Sequence, residues 1–98
     1  MGVEMVIEVA DTQAAQTVQR VLEGYQARLR ASILRTRRRL AVFEERYSVS
    51  TTRFLEDMTA EDLQGGDLEY VDWAGEAGLF SGLEAELSEL ENARFQLQ

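Results

Sequence analysis

LEGYQARLRASILRTRRRLAVFEERY, residues 22–47, contains no Pro and a single Gly, Gly24. Its apolar members Leu22, Leu29, Ile33, Leu40, Phe43 and Tyr47 recur at steps of three, four and seven, with Gln26 and Thr36 as polar members of the same seam. A repeat of 3.5 residues puts all of them on one narrow stripe of a helix, the pattern by which one helix packs along another. No breaker interrupts the chain back to Asp11 or Thr12, either of which can act as N-cap. The spacing therefore predicts one helix over residues 12–47, about 54 Å long at 1.5 Å per residue.

Working outward toward the N-terminus, VEMVIEVA (3–10) alternates Val3, Met5, Ile7 and Val9 with Glu4, Val6 and Glu8. Period-two alternation is the signature of a half-buried strand. No later segment offers an obvious sister strand, so residues 1–10 are expected to form an arm or a strand that pairs with another chain.

On the other side, SVSTT ends the helical pattern, because β-branched and hydroxyl residues favour caps and turns. Ser50 is placed to cap a short helix through about Asp57, with Phe54 and Leu55 facing inward. TAEDLQGGD then forms an acidic corner ended by Gly65-Gly66, and residues 50–66 make the connection between two long helices. Asp67 is read as the cap of the second, over residues 67–97. Its Trp73, Phe80, Leu83, Leu87, Leu90 and Leu97 again step by three and four, with Arg94 in the seam. Two amphipathic helices of matching period joined by a corner pack antiparallel. The fold class is thus all-α: a long antiparallel helical hairpin with a short connecting helix, in a single domain of 98 residues. One stripe per helix leaves core to be covered, so a homodimer forming a four-helix bundle, or a higher homo-oligomer, is expected.

Composition excludes several kinds of chemistry. The chain has no Cys and no His, so disulfides, thiolate or imidazole metal sites and Ser-His or Cys-His catalysis have no residues to use. We expect no catalytic residues, no metal and no cofactor. The chain opens with no basic n-region, and no stretch approaches the roughly 20 apolar residues of a membrane span. A cytoplasmic protein without membrane contact is expected. The net charge is −8, unevenly spread: residues 1–46 hold eight arginines against six acids, residues 47–98 two against twelve.

Three constellations bear on function. Arg28, Arg30, Arg35, Arg37, Arg38 and Arg39 form a basic face within twelve residues that contain no acid. The plain reading makes them the counter-charge of the acidic half, fixing helix register. The sharper one makes them an anion-binding face, but no aromatic side chains interleave for base stacking and the domain is acidic, so nucleic acid is not the expected partner. A ribbon-helix-helix DNA binder is opposed by Glu4 and Glu8 on the strand. Second, Glu69, Asp72 and Glu76 share a helix face at spacings three and four. Paired carboxylates can hold Mg²⁺, as in helical-bundle nucleotide pyrophosphohydrolases, yet the facing stretch from Gly24 to Phe43 offers only arginines. Third, Gly75, Gly78 and Gly82 stand among Ala74, Ala77, Ser81 and Ala85. Each helical Gly costs about 1 kcal/mol relative to Ala, so something should pack closely on that segment, either the hairpin's own first helix or a partner.

The central part of the chain also resembles a known kind of protein. YSVSTTRFLEDM (47–58), the acidic Gly-containing turn and DLEYVDWAG (67–75) are similar to small antitoxin-like proteins of bacterial and archaeal toxin–antitoxin operons. In those, a long charged helix ends in an aromatic residue, a Ser-capped short helix supplies a Phe, and an acidic turn leads into a helix that opens with spaced aromatics and Trp. The likeness covers about residues 40–85, and Ser48 stands where such proteins often have Gly. It implies a non-enzymatic protein that neutralises a cognate toxin. If that toxin is a ribonuclease with a basic cleft, the acids from Glu56 to Glu76 could occupy the cleft as an RNA mimic. The alternative is a structural or scaffolding helical oligomer.

Overall fold

A computed structural model describes residues 3–97. The side chains of Val3, Met5, Arg94 and Leu97, assigned above to a strand face or a seam, lie outside those described. The architecture is all-α, in the order β1 (Val3–Ile7), α1 (Thr12–Tyr47), α2 (Thr51–Asp57), a 3₁₀ turn (Ala60–Asp62), α3 (Gly66–Asn92) and β2 (Ala93–Leu97). The described residues divide into two compact units, one of Ile33–Gly82 and one of Met1–Ser32 with Leu83–Gln98.

The unit of residues 33–82 holds the corner. α1 ends at Tyr47 because Ser48 turns into the left-handed region at φ 54°, and the Val49 N–H reaches back to the Glu44 carbonyl at 3.2 Å. That bond five residues back is the Schellman ending of a helix, with Ser48 at the position where Gly would be preferred. Ser50 then caps α2, its Oγ accepting from the Arg53 N–H at 3.1 Å. The Glu44 carboxylate accepts from the Thr51 N–H at 2.8 Å, tying the end of α1 to the start of α2. Through the acidic turn, the Asp62 carboxylate accepts from the Thr59 N–H at 2.8 Å. Gly66 has φ +64°, which an L side chain would resist, and a Cβ on Gly65 would lie 2.8 Å from Glu69 Cβ. The pair is required where it stands, by conformation at Gly66 and by space at Gly65. α3 starts at Gly66, one residue before the expected cap, and Asp67 and Glu69 occupy its first turn, where the helix dipole favours acids.

The core of this unit is built on Trp73, which is fully buried and packs with buried Phe54, Leu40 and Leu63. Phe54 stacks on Trp73 with ring centroids 3.9 Å apart, and Phe43 stacks on it at 5.3 Å. The indole Nε1–H donates to Thr51 Oγ1 at 3.0 Å, so the burial leaves no unpaired donor. Each such ring removes 150–250 Å² from water, and seven-residue α2 is held mainly because it delivers Phe54 here. Leu55, expected to face inward beside Phe54, is half exposed: one turn of helix cannot aim two adjacent residues at the same core.

In the other unit, Asp11 caps α1, its Oδ1 accepting from the Ala14 N–H at 2.8 Å. Leu29 is buried, and Leu22, Leu83, Leu87 and Leu90 are half-buried. Here the structure corrects the sequence reading twice. The second long helix stops at Asn92, not Leu97, and β1 is not without a sister strand: β2 pairs with it in parallel, Val3 opposite Ala93 through Ile7 opposite Leu97. ARFQL has period-two alternation as well as helical spacing, and five residues are too few to separate the two by pattern. Pairing with β1 settles it by giving both segments backbone partners.

Candidate partner-binding surface

The charged residues sort into those used within the chain and those left to solvent. Arg39 pairs with Glu76 at 3.3 Å, Arg30 with Glu91 at 3.4 Å and Arg46 with Glu69. Arg37 lies 3.8 Å from Glu44 and 5.9 Å from the Phe80 ring centroid, and Arg28 lies 6.0 Å from that of Tyr25. Arg35 has a partner too, whereas Arg38 is exposed with no ion pair among the described residues. Half of the arginine block thus pairs with acids of the chain itself, Arg30 and Arg39 with α3 and Arg37 with Glu44 of α1, and the two pairs to α3 help set which turn of one helix meets which turn of the other.

Glu69 was expected on an acidic contact face; the structure places it inside. It is 8% exposed and accepts from the Tyr47 hydroxyl, from the Gly65 N–H at 3.0 Å and from Arg46. The Tyr47 hydroxyl in turn accepts from the Gln64 N–H at 2.9 Å. These donors, the Tyr47 hydroxyl above all and then the Gly65 amide, hold the Glu69 carboxyl below its ordinary range. The physical reason is the close approach at Gly65, which brings backbone donors within reach of the first turn of α3. Glu69 is therefore a clasp of the corner. Glu76 is likewise half withdrawn, paired with Arg39 through Oε1, its Oε2 buried with no hydrogen-bond partner among the described residues. Asp72 is exposed. Near the chain ends, the Tyr25 hydroxyl donates to Glu86, and that bond raises the phenol above its ordinary value.

The three glycines resolve differently from their plain reading. A Cβ built on Gly75, Gly78 or Gly82 meets nothing within 4 Å, so neither α1 nor the corner packs against them. At 100° per residue they lie opposite Trp73, on the outward face of α3. The same face carries Leu68 at 82% exposure, Val71 at 66% and Leu79 at 48%. From residue 68 to 82, then, the solvent side of α3 is apolar or bare backbone along its centre, flanked by the carboxylates of Asp67 and Asp72. A surface helix ordinarily turns its charged side outward, and a contiguous exposed apolar face marks a contact site where single exposed residues do not. Sequence reading picked out the glycines but not Leu68, Val71 and Leu79. The signal was there, in their separations of three, eight and eleven residues along one side of the helix, masked by the stronger seam through Trp73 and Phe80. The remaining seam residues Leu22, Leu29, Ile33, Leu40, Phe43 and Tyr47 on α1, and Trp73, Phe80, Leu83, Leu87 and Leu90 on α3, are buried or half-buried.

Among the described residues no group of three or more acidic side chains converges as a cation site, and no helix is long and apolar enough to cross a membrane. Comparison of the chain with protein-family models, curated proteins and solved structures returned no match.

Proposed function

We propose that the chain is a non-enzymatic protein-binding module, the antitoxin of a toxin–antitoxin pair, which binds and neutralises a cognate toxin in the cytoplasm. One observation carries this reading: the solvent side of α3 between Leu68 and Gly82 is uncharged and apolar along its centre in a chain of net charge −8. An acidic protein that leaves such a strip open has a surface suited to covering by another polypeptide. The resemblance of residues 40–85 to antitoxin-like proteins points the same way, and the position of Ser48 at φ 54° accounts for the Gly common there. Self-association as a homodimer belongs to the same proposal.

If the toxin is a ribonuclease, the RNA-mimicking charge falls to the exposed acids Glu56, Glu61, Asp67 and Asp72, because Glu69 and Glu76 are engaged within the chain. The test is a growth assay. The open reading frame adjacent to the gene is expressed alone and together with this chain; arrest by the neighbour alone and growth on co-expression support the proposal. A harmless neighbour, or arrest that co-expression does not relieve, overturns it.

A further inference from the structure

The exposed aliphatic side chains of α3 raise a narrower question: what covers them. We propose that the outward face of α3 from Leu68 to Gly82 is the seat of an amphipathic helix from a basic protein partner, one that carries Arg or Lys on both sides of a small or aliphatic ridge. This rests on the reading of the chain as a protein-binding module.

Shape comes from the bare backbone. Leu68 and Val71 at one end and Leu79 near the other stand out from the helix, while Gly75, Gly78 and Gly82 leave its surface flat between and beside them. Small residues in that spacing let a second helix axis approach closely, with the exposed aliphatics packing along its sides. Nothing inside the fold explains the three glycines, since each sits within a helix, needs no positive φ and touches no neighbouring element.

Charge decides the occupant. α3 carries eight acids and no cation over Gly66–Asn92. Asp67 and Asp72, beside the strip, are exposed and have no ion pair among the described residues. A second copy of the same face would bring acids against acids, which is unfavourable in a site that excludes water. The outward face of α1 in the same unit, with Leu34 and Arg38 opposite the buried Leu40, has the complementary sign but turns away from α3, whereas Val42 borders a cleft that Asp72 and Glu76 also line. Pairing α3 of one copy with α1 of the next is a head-to-tail contact, which builds a ring or a filament and not a two-fold dimer. A different chain with basic flanks satisfies both the apolar strip and its rim.

A photo-crosslinking amino acid placed singly at Val71, Leu79 or Leu34 tests this in the cells that natively make the chain. All three side chains are about half or more exposed, and the substitutions leave the core intact. The expected result is that Val71 and Leu79 crosslink to one peptide of a net-basic protein, at sites three, four, seven or eight residues apart in a Lys- or Arg-flanked helix, and that Leu34 does not. With the purified crosslinked protein as probe, Gly78→Leu together with Gly82→Leu should lower affinity about tenfold or more while helicity and Tm are no lower than the parent's, since the added side chains intrude only on the bound helix. Crosslinks from Leu34 alone would overturn the face but leave the binding-module reading standing. Crosslinks from Val71 to another copy of the chain, or to an acidic protein, would overturn the occupant, and no crosslink from any position would overturn both readings.

Discussion

Replacing Gly75, Gly78 and Gly82 together with Ala should make the isolated chain markedly more stable. All three lie inside α3, at least nine residues from its start and ten from its end, and the added Cβ atoms meet nothing within 4 Å. In such a setting Gly→Ala gains about 0.8–1 kcal/mol per site from the lower entropy of the unfolded chain and the better helix propensity. The positions share no partner that a methyl would disturb, so the gains should add to about 2.5–3 kcal/mol. For a domain of this size each kcal/mol moves Tm by roughly 4–8 °C, which gives a rise of about 10–20 °C. Thermal unfolding followed by circular dichroism at 222 nm, at two protein concentrations, reads the effect directly. Gly65→Ala is the internal contrast: its Cβ would press on Glu69 at 2.8 Å, so the same chemical change should lower Tm. A triple variant no more stable than the parent would refute the reasoning, because it would mean that the glycines serve packing within the fold.

Other consequences of the geometry can be measured separately. Phe54→Ala removes the ring stacked 3.9 Å from Trp73 and should destabilise by about 3–5 kcal/mol, detectable as loss of cooperative urea unfolding and a red-shifted tryptophan emission. Ser48→Gly relieves a left-handed residue at the end of α1 and should stabilise by about 1 kcal/mol in urea titrations. Because Glu69 is held below the ordinary carboxylate range, its contribution is fully present above the unfolded value of about 4.3 and is lost as pH falls through the folded value. Tyr47→Phe deletes the principal donor, so the Glu69 carboxyl, followed by NMR titration, should then protonate at higher pH and acid unfolding should begin earlier.

Much of this fold could be read from the sequence, and for identifiable reasons. The first long helix has a strict seam, an acceptable cap at Asp11 and an unmistakable end in YSVS, so its observed bounds, Thr12–Tyr47, agree with the pattern. The short helix was legible because Ser50 and Asp57 bracket about two turns carrying Phe54. The strand pair was not: β1 was visible by alternation, but β2 hides in five residues that suit a helix equally well, and only the distant segment it meets decides between them. The clasp at Glu69 was also out of reach. It depends on Tyr47, Gly65 and Arg46 converging through the corner, whereas sequence spacing alone ranks Glu69 with Asp72 and Glu76 as a surface acid. Conversely, the glycines showed their cost in sequence but not their cause; the empty space above each of them in the structure moves that cause outside the fold.

α3 has two apolar faces, one sealed around Trp73 and one open. Methyl NMR of the free chain with a soluble paramagnetic agent measures this without reference to any partner. Leu68, Val71 and Leu79 should broaden strongly while Leu40 and Leu63 stay sharp. If Leu68, Val71 and Leu79 are as protected as Leu40, the chain already covers that face, and a docking surface on α3 is contradicted.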